Sequence, residues 1–383
     1  MKMTTMMKSR TWKRLLSASL MSLFLDAHAA TLLVGSYTDG ASQGIYRYHF
    51  DSQSGQIEAK PLQVVNSVSP SWLVLSADQR LLFAVNETPQ GHVSSFALSA
   101  KGEIKPLNQV ASQGDEPTHA SLSHDQRYLF VANYAVAPDP GGSLVVIPVA
   151  KDGKLAPLVQ QARHTPSKVN PERQAGAHVH SLVPSPDGRH LYASDLGADK
   201  VFIYRYDGAS TVKPLSPAIP ASVSLPPGSG PRHLLFDAKG LHAYLTLEMS
   251  GEVVMFAVED GALAERQRLA LTASKDVAAK ASGGLHLSVD GRFLYVSNRG
   301  TANEIVVFAV GKDNGELSVL QRRSVEGDHP REFALDPSGN FLLVANQKSN
   351  QIVVMRRDPR SGKLGETVQK LAQDAPSDLK FLE

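Results

Sequence analysis

The chain has 383 residues, 39 Lys and Arg against 37 Asp and Glu, a formal charge of +2 and no cysteine. So balanced a charge argues against nucleic acid or an anionic membrane surface as the main partner. The absence of cysteine excludes disulfides, thiolate metal sites and a cysteine nucleophile.

The N-terminus comes first. Lys2, Lys8, Arg10, Lys13 and Arg14 precede the apolar run "LLSASLMSLFL" (Leu15–Leu25), and "AHA" at Ala27–Ala29 supplies a small-x-small cleavage pattern. The run is too short to span a bilayer comfortably, and the three features together read as a secretory signal peptide cut near Ala30 rather than a retained anchor helix. The leader takes five of the 39 bases and one of the 37 acids, which leaves 34 basic against 36 acidic residues. No later segment is apolar enough to be transmembrane. An exported, periplasmic protein follows, and a chain without thiols suits an oxidising compartment.

Beyond the leader one hairpin is written repeatedly. "SHDQRYLFVAN" (Ser123–Asn133), "SPDGRHLYASD" (Ser185–Asp195) and "SVDGRFLYVSN" (Ser288–Asn298) are close copies, and "DPSGNFLLVAN" (Asp336–Asn346) is a looser one. Aligned on the residue that anchors the strand after the turn, the series runs Leu33, Phe83, Phe130, Tyr192, Tyr244, Tyr295 and Leu343, with spacings of 50, 47, 62, 52, 51 and 48. Alternation, β-branched and aromatic residues and Asp-Gly or Asn-Gly punctuation favour four short strands per unit. Units of that kind at that period predict an all-β chain, a seven-bladed β-propeller with four antiparallel strands per blade. The chain enters at a second strand ("TLLVGSY") and ends on an orphan approach strand ("APSDLKFLE", Ala375–Glu383), so the two termini are expected to close the ring in one blade. Residues 30–383 then form one domain, and "PSKVNPERQAG" (Pro166–Gly176), behind the spacing of 62, is a loop.

The repeat register also locates chemistry. In such a blade the first strand lies nearest the channel and the second runs antiparallel to it, so the start of one and the end of the other share a face. The first position holds Ser71, Thr118, His180, Arg232, Gly283 and Arg331; the second holds Tyr37, Glu87, Tyr134, Leu196, Glu248, Arg299 and Gln347. His178, His233 and His286 are expected close to the same rim. Asp187, Asp290, Asn133 and Asn298 read as turn formers and strand-end caps, and Tyr192, Tyr244 and Tyr295 as blade core. Arg232 in "GPRHL", Arg331 in "HPREF" and Glu248 after the apolar "AYLTL" do not fit a core, because an unpaired buried guanidinium or carboxylate is costly.

The segments "HVHSLVPSPDGRHLYASDLGADKVFIY", "GPRHLLF", "HLSVDGRFLYVSNRGTANEIVVF" and "HPREFALDPSGNFLLVANQKSNQIVV" together resemble the seven-bladed lactonase family, which includes propeller-type 6-phosphogluconolactonases and carboxymuconate-lactonizing enzymes. The resemblance implies a carboxylic-ester hydrolase acting on a small sugar lactone, with His180, Arg232 and Glu248 as the catalytic set and Arg299 as a further arginine. His178, His286, Arg299 and Arg331 are the expected substrate-binding residues. Opening an aldonolactone needs an activated water, a stabilised oxyanion and hydrogen bonds to ring hydroxyls; Glu248 or His180 would be the base and Arg232 the oxyanion partner. A G-x-S-x-G match occurs once, in "GASQG" (Gly40–Gly44), but it joins two strand patterns rather than a strand to a helix; no H-E-x-x-H pattern is present, and no cofactor or metal is required. Export favours glucono-1,5-lactone as substrate. The alternatives are 6-phosphogluconolactonase or carboxymuconate-lactonizing-type activity, and a non-catalytic periplasmic binding propeller. Neither nucleic acid nor membrane insertion is expected, and the chain reads as a monomer or weak oligomer.

Overall fold

A computed structural model describes residues 29–137, 139 and 141–382; the expected leader, apart from Ala29, lies outside them. Among the described residues the strands form seven antiparallel sheets. In chain order the innermost strands of blades one to six are Pro70–Leu75, Pro117–Leu122, Val179–Pro184, Pro231–Phe236, Ser282–Leu287 and Pro330–Leu335. The seventh blade is built from both ends of the chain. Its inner strand Pro376–Leu382 pairs with Ala29–Ser36, with Leu33 opposite Lys380 and Val34 opposite Leu379. Its outer edge is divided between two short strands, Gln56–Ile57 and Gln63–Asn66, both paired to Gly44–Asp51. The expected closure is therefore present, and it leaves no open inner edge.

The core lies between blades. Phe341, Leu343 and Ile352 of blade six pack against Leu32, Val34 and Phe50 of blade seven, and equivalent clusters recur around the ring. The anchor tyrosines add a directed link. The hydroxyls of Tyr192, Tyr244 and Tyr295 donate to the carbonyls of Gly261, Gly315 and Gly362 in the following blade. Each of these glycines has a positive φ, between 69° and 83°, as the tight outer turn requires. Turn and cap residues behave as their composition suggests: Asp187 accepts from Ser185 Oγ and Arg189 N, and Asn298 Nδ2 donates to Ala279 O.

Every innermost strand begins with the same irregularity. In blade two, Pro117 faces Asn133 and His119 faces Ala132, so Thr118 is an extra residue. The same shift occurs at Ser71, His180 and Arg331, at Arg232–His233 and Gly283–Gly284, and at Ser377 in the closing blade. A bulge of this kind turns successive side chains to one side and breaks the alternation of the strand. Two neighbouring residues per blade therefore face the channel at one mouth of the ring.

Candidate active site

The bulges shape the site. A small recess opens at the mouth. Six extra residues line it: Ser71, Thr118, His180, Arg232, Arg331 and Ser377. The seventh position is Gly283, where a side chain would crowd Ser297 and approach Arg299 Nε to 3.6 Å. Trp72, His233 and Glu332, each the next residue along its strand, form the floor. Gly284 makes room for Glu332, whose Oε1 would stand 2.2 Å from an added Cβ.

Two carboxylates, buried Glu248 and half-buried Glu87, organise the wall. Glu248 Oε2 accepts from Arg232 Nε at 3.0 Å and lies 2.7 Å from Arg299 Nη2, while Oε1 accepts from Arg173 Nη2 at 2.6 Å. Burial alone raises the pKa of Glu248, but Arg299 and Arg232 outweigh it and hold the carboxyl well below its usual range. The second carboxylate, Glu87, accepts from Tyr37 OH at 2.8 Å, from Arg331 Nη2 at 3.1 Å and from Ser71 Oγ. Arg331 also stacks over the ring of Tyr37 at 5.0 Å. Burial, then the charge of Arg299, lowers Arg232 to about 9, so it stays a cation at neutral pH.

The histidines differ from these charged groups. Burial, then Arg232, pushes His180 well below the ordinary histidine value, so its imidazole is neutral. Its Nε2 lies 3.9 Å from Glu248 Oε2, and its buried Nδ1 has no hydrogen-bond partner. His233 is neutral for the same two reasons, burial first and Arg232 second. It packs against His180 with ring centroids 5.1 Å apart. Both His180 and Glu248 therefore stay deprotonated at neutral pH, and of the two only the imidazole has no guanidinium bonded directly to it. A carboxylate held by three guanidinium groups is a poor base, however firmly it orients its neighbours.

The structure thus brings His180, Arg232 and Arg331 to one recess, with Glu248 on Arg232 and Arg299 on Glu248 beside it, and it places two other candidates elsewhere. His178 stacks on Tyr134 at 4.7 Å, its Nδ1 3.0 Å from the Tyr134 carbonyl, outside the recess. His286 lies three residues beyond Gly283, about 10 Å further along the channel at the usual strand rise, where its Nε2 meets Glu332 Oε1 at 2.8 Å. The expectation of His286 at the rim is corrected by that depth. Arg173 was not a candidate at all. It stands on the loop inserted between blades two and three, outside the repeat, and only the long spacing marked that loop as unusual.

The family model for the seven-bladed β-propeller lactonase matches residues 31–381. The chain belongs to this family. As a lactonase it is a hydrolase of cyclic carboxylic esters. It is 35% identical to a 6-phosphogluconolactonase of Formosa agariphila, over 91% of this chain and 99% of that one, and 32% identical to a 6-phosphogluconolactonase of Bacillus subtilis, over 91% and 97%. Among solved structures, the Pseudomonas aeruginosa periplasmic gluconolactonase is 50% identical, with a TM-score of 0.90 and coverage of 93% of this lactonase and 99% of that chain. No helix among the described residues is long and apolar enough to cross a membrane.

Proposed function

We propose that this lactonase opens glucono-1,5-lactone to gluconate in the periplasm, at the recess between Arg232 and Arg331. The observation that carries the reading is a neutral buried imidazole, His180, beside a guanidinium, Arg232, that Glu248 holds in place. His180 takes a proton from a water as that water adds to the lactone carbonyl. Arg232 meets the oxyanion, and donors of this kind typically contribute about 10²–10³-fold. When the ring C–O bond breaks, the imidazolium returns the proton to the departing ring oxygen, and the new carboxylic acid ionises. Glu248 stays ionised throughout and positions Arg232 and Arg299.

The leader, the lack of cysteine and the 50% identity to a periplasmic gluconolactonase support export and an unphosphorylated substrate. The relatives named 6-phosphogluconolactonase and the surplus of arginines at the mouth favour a second reading, in which the 6-phosphate ester is the substrate. Comparing kcat/KM for the two lactones, on protein whose N-terminus is established by mass spectrometry, separates them. The first reading expects a ratio in favour of the free lactone and a mature N-terminus near Ala30. A ratio favouring the phosphate, or residues 1–29 still attached, contradicts it.

The role of His180 has a signature in pH. Its folded pKa is lowered, so it serves as a base down to pH values below the usual histidine range and is lost only as pH falls through that lowered value. The acid limb of kcat/KM is expected well below ~6.5, the unperturbed histidine value. A limb centred there would remove His180 as the base.

A further inference from the structure

We infer that Arg173 is an anion-recognition arm: its guanidinium leaves Glu248 to pair with a carboxylate or phosphate on the ligand. The inference rests on the lactonase reading of this site and adds a residue that the blade repeat does not contain.

Four guanidinium groups pair with Glu248 and Glu87, and with the floor carboxylate Glu332 counted the mouth keeps a surplus of one positive charge. Three of the cations are committed in the interior. Arg232 and Arg299 hold Glu248 Oε2 with side chains 2% and 7% exposed, and Arg331 holds Glu87 at 16%. Arg173 is 44% exposed and rests on Glu248 Oε1 at 2.6 Å and on Tyr134 OH at 3.2 Å. It is the most exposed member of the network. The pair joins a part-exposed guanidinium to a buried carboxylate, and Glu248 keeps two buried partners when it breaks.

The loop under Arg173 is fixed. Ser167 N donates to Gly197 O at 2.8 Å, and the fully buried Gln174 donates from Nε2 to Leu196 O at 2.9 Å. Asn170 Oδ1 accepts from the backbone N–H groups of Glu172 and Arg173, both at 3.0 Å. With the backbone pinned, exchange of partners is a side-chain rotation and needs no movement of the loop. Once Arg173 turns away, Glu248 Oε1 is free to accept from a sugar hydroxyl.

An anion can reach this arm from two sources: the C1 carboxylate formed by hydrolysis, or a phosphate at C6. Titration calorimetry on the wild-type protein and on Arg173→Gln and Arg173→Lys, with gluconate, glucitol 6-phosphate and neutral glucitol as probes, distinguishes them without turnover. Wild type is expected to bind at least one anion about 10-fold or more tighter than glucitol, which is the scale of one charge-assisted hydrogen bond. Arg173→Gln should erase that preference and Arg173→Lys retain part of it. Loss confined to gluconate identifies the product carboxylate; loss confined to glucitol 6-phosphate identifies the ester. A wild type without preference, or a preference undiminished in Arg173→Gln while its melting temperature is unchanged, overturns the inference. Should the anion preference behave as expected while no lactone is hydrolysed, the hydrolase reading fails and the arm stands.

Discussion

Deleting residues 375–383 is expected to lower the melting temperature by roughly 10 °C or more, or to prevent folding. The strand Pro376–Leu382 is the inner strand of the closing blade, and its loss uncovers one edge of Ala29–Ser36. It takes away Leu379, 1% exposed, from the cluster that holds Leu32, Val34 and Phe50. It also removes Asp378, whose Oδ2 accepts from Leu73 N of blade one at 2.7 Å, and Lys380, whose ammonium lies 4.5 Å from the centre of the Trp72 ring. Losing one buried leucine of this kind costs about 2–5 kcal/mol, and the exposed edge and lost ladder add to that. At roughly 2–4 °C per kcal/mol for chains of 150–250 residues, the shift is easily read by calorimetry. An unchanged melting temperature would contradict closure by the two termini.

The second large effect is on catalysis. Arg232→Ala and Glu248→Gln are each expected to lower kcat/KM by about 10²-fold or more. Arg232→Ala removes the oxyanion partner and leaves Glu248 with Arg299 on Oε2. Glu248→Gln removes the charge that aligns Arg232, Arg299 and Arg173 at once. Tyr244→Ala is the control. Tyr244 is fully buried, packs in the blade-four and blade-five core and donates to Gly315 O. Its loss is expected to cost about 3–5 kcal/mol of stability, with activity following only through unfolding. Near-wild-type turnover in both site variants would move the chemistry away from this wall of the recess.

The repeat was legible because each blade must close the same interblade core, which fixes an anchor residue about every 50 positions. Closure was legible because a strand without a partner at each end of a ring fold has one place to go. The ring positions pointed to the mouth for a related reason: antiparallel pairing places the start of one strand beside the end of the next. What the alternation of side chains hides is the bulge. A period-two reading gives one channel-facing residue at each strand start, whereas the extra residue brings two, and Trp72, His233 and Glu332 enter the floor through it. His286 was misplaced because proximity along a strand was taken for proximity to the rim. Arg173 escaped because an insertion carries no repeat register. Its contact with Glu248 spans 75 residues of sequence, and the loop that presents it is positioned by Asn170 and Gln174 rather than by a strand.

The central claim is that the recess hydrolyses an aldonolactone. Proton release from glucono-1,5-lactone in weakly buffered solution, with and without purified protein, tests it most directly. The account predicts an initial rate that exceeds spontaneous opening in proportion to protein concentration and falls to the spontaneous level, or near it, with Arg232→Ala. A rate indistinguishable from spontaneous hydrolysis for both the free lactone and its 6-phosphate would contradict it.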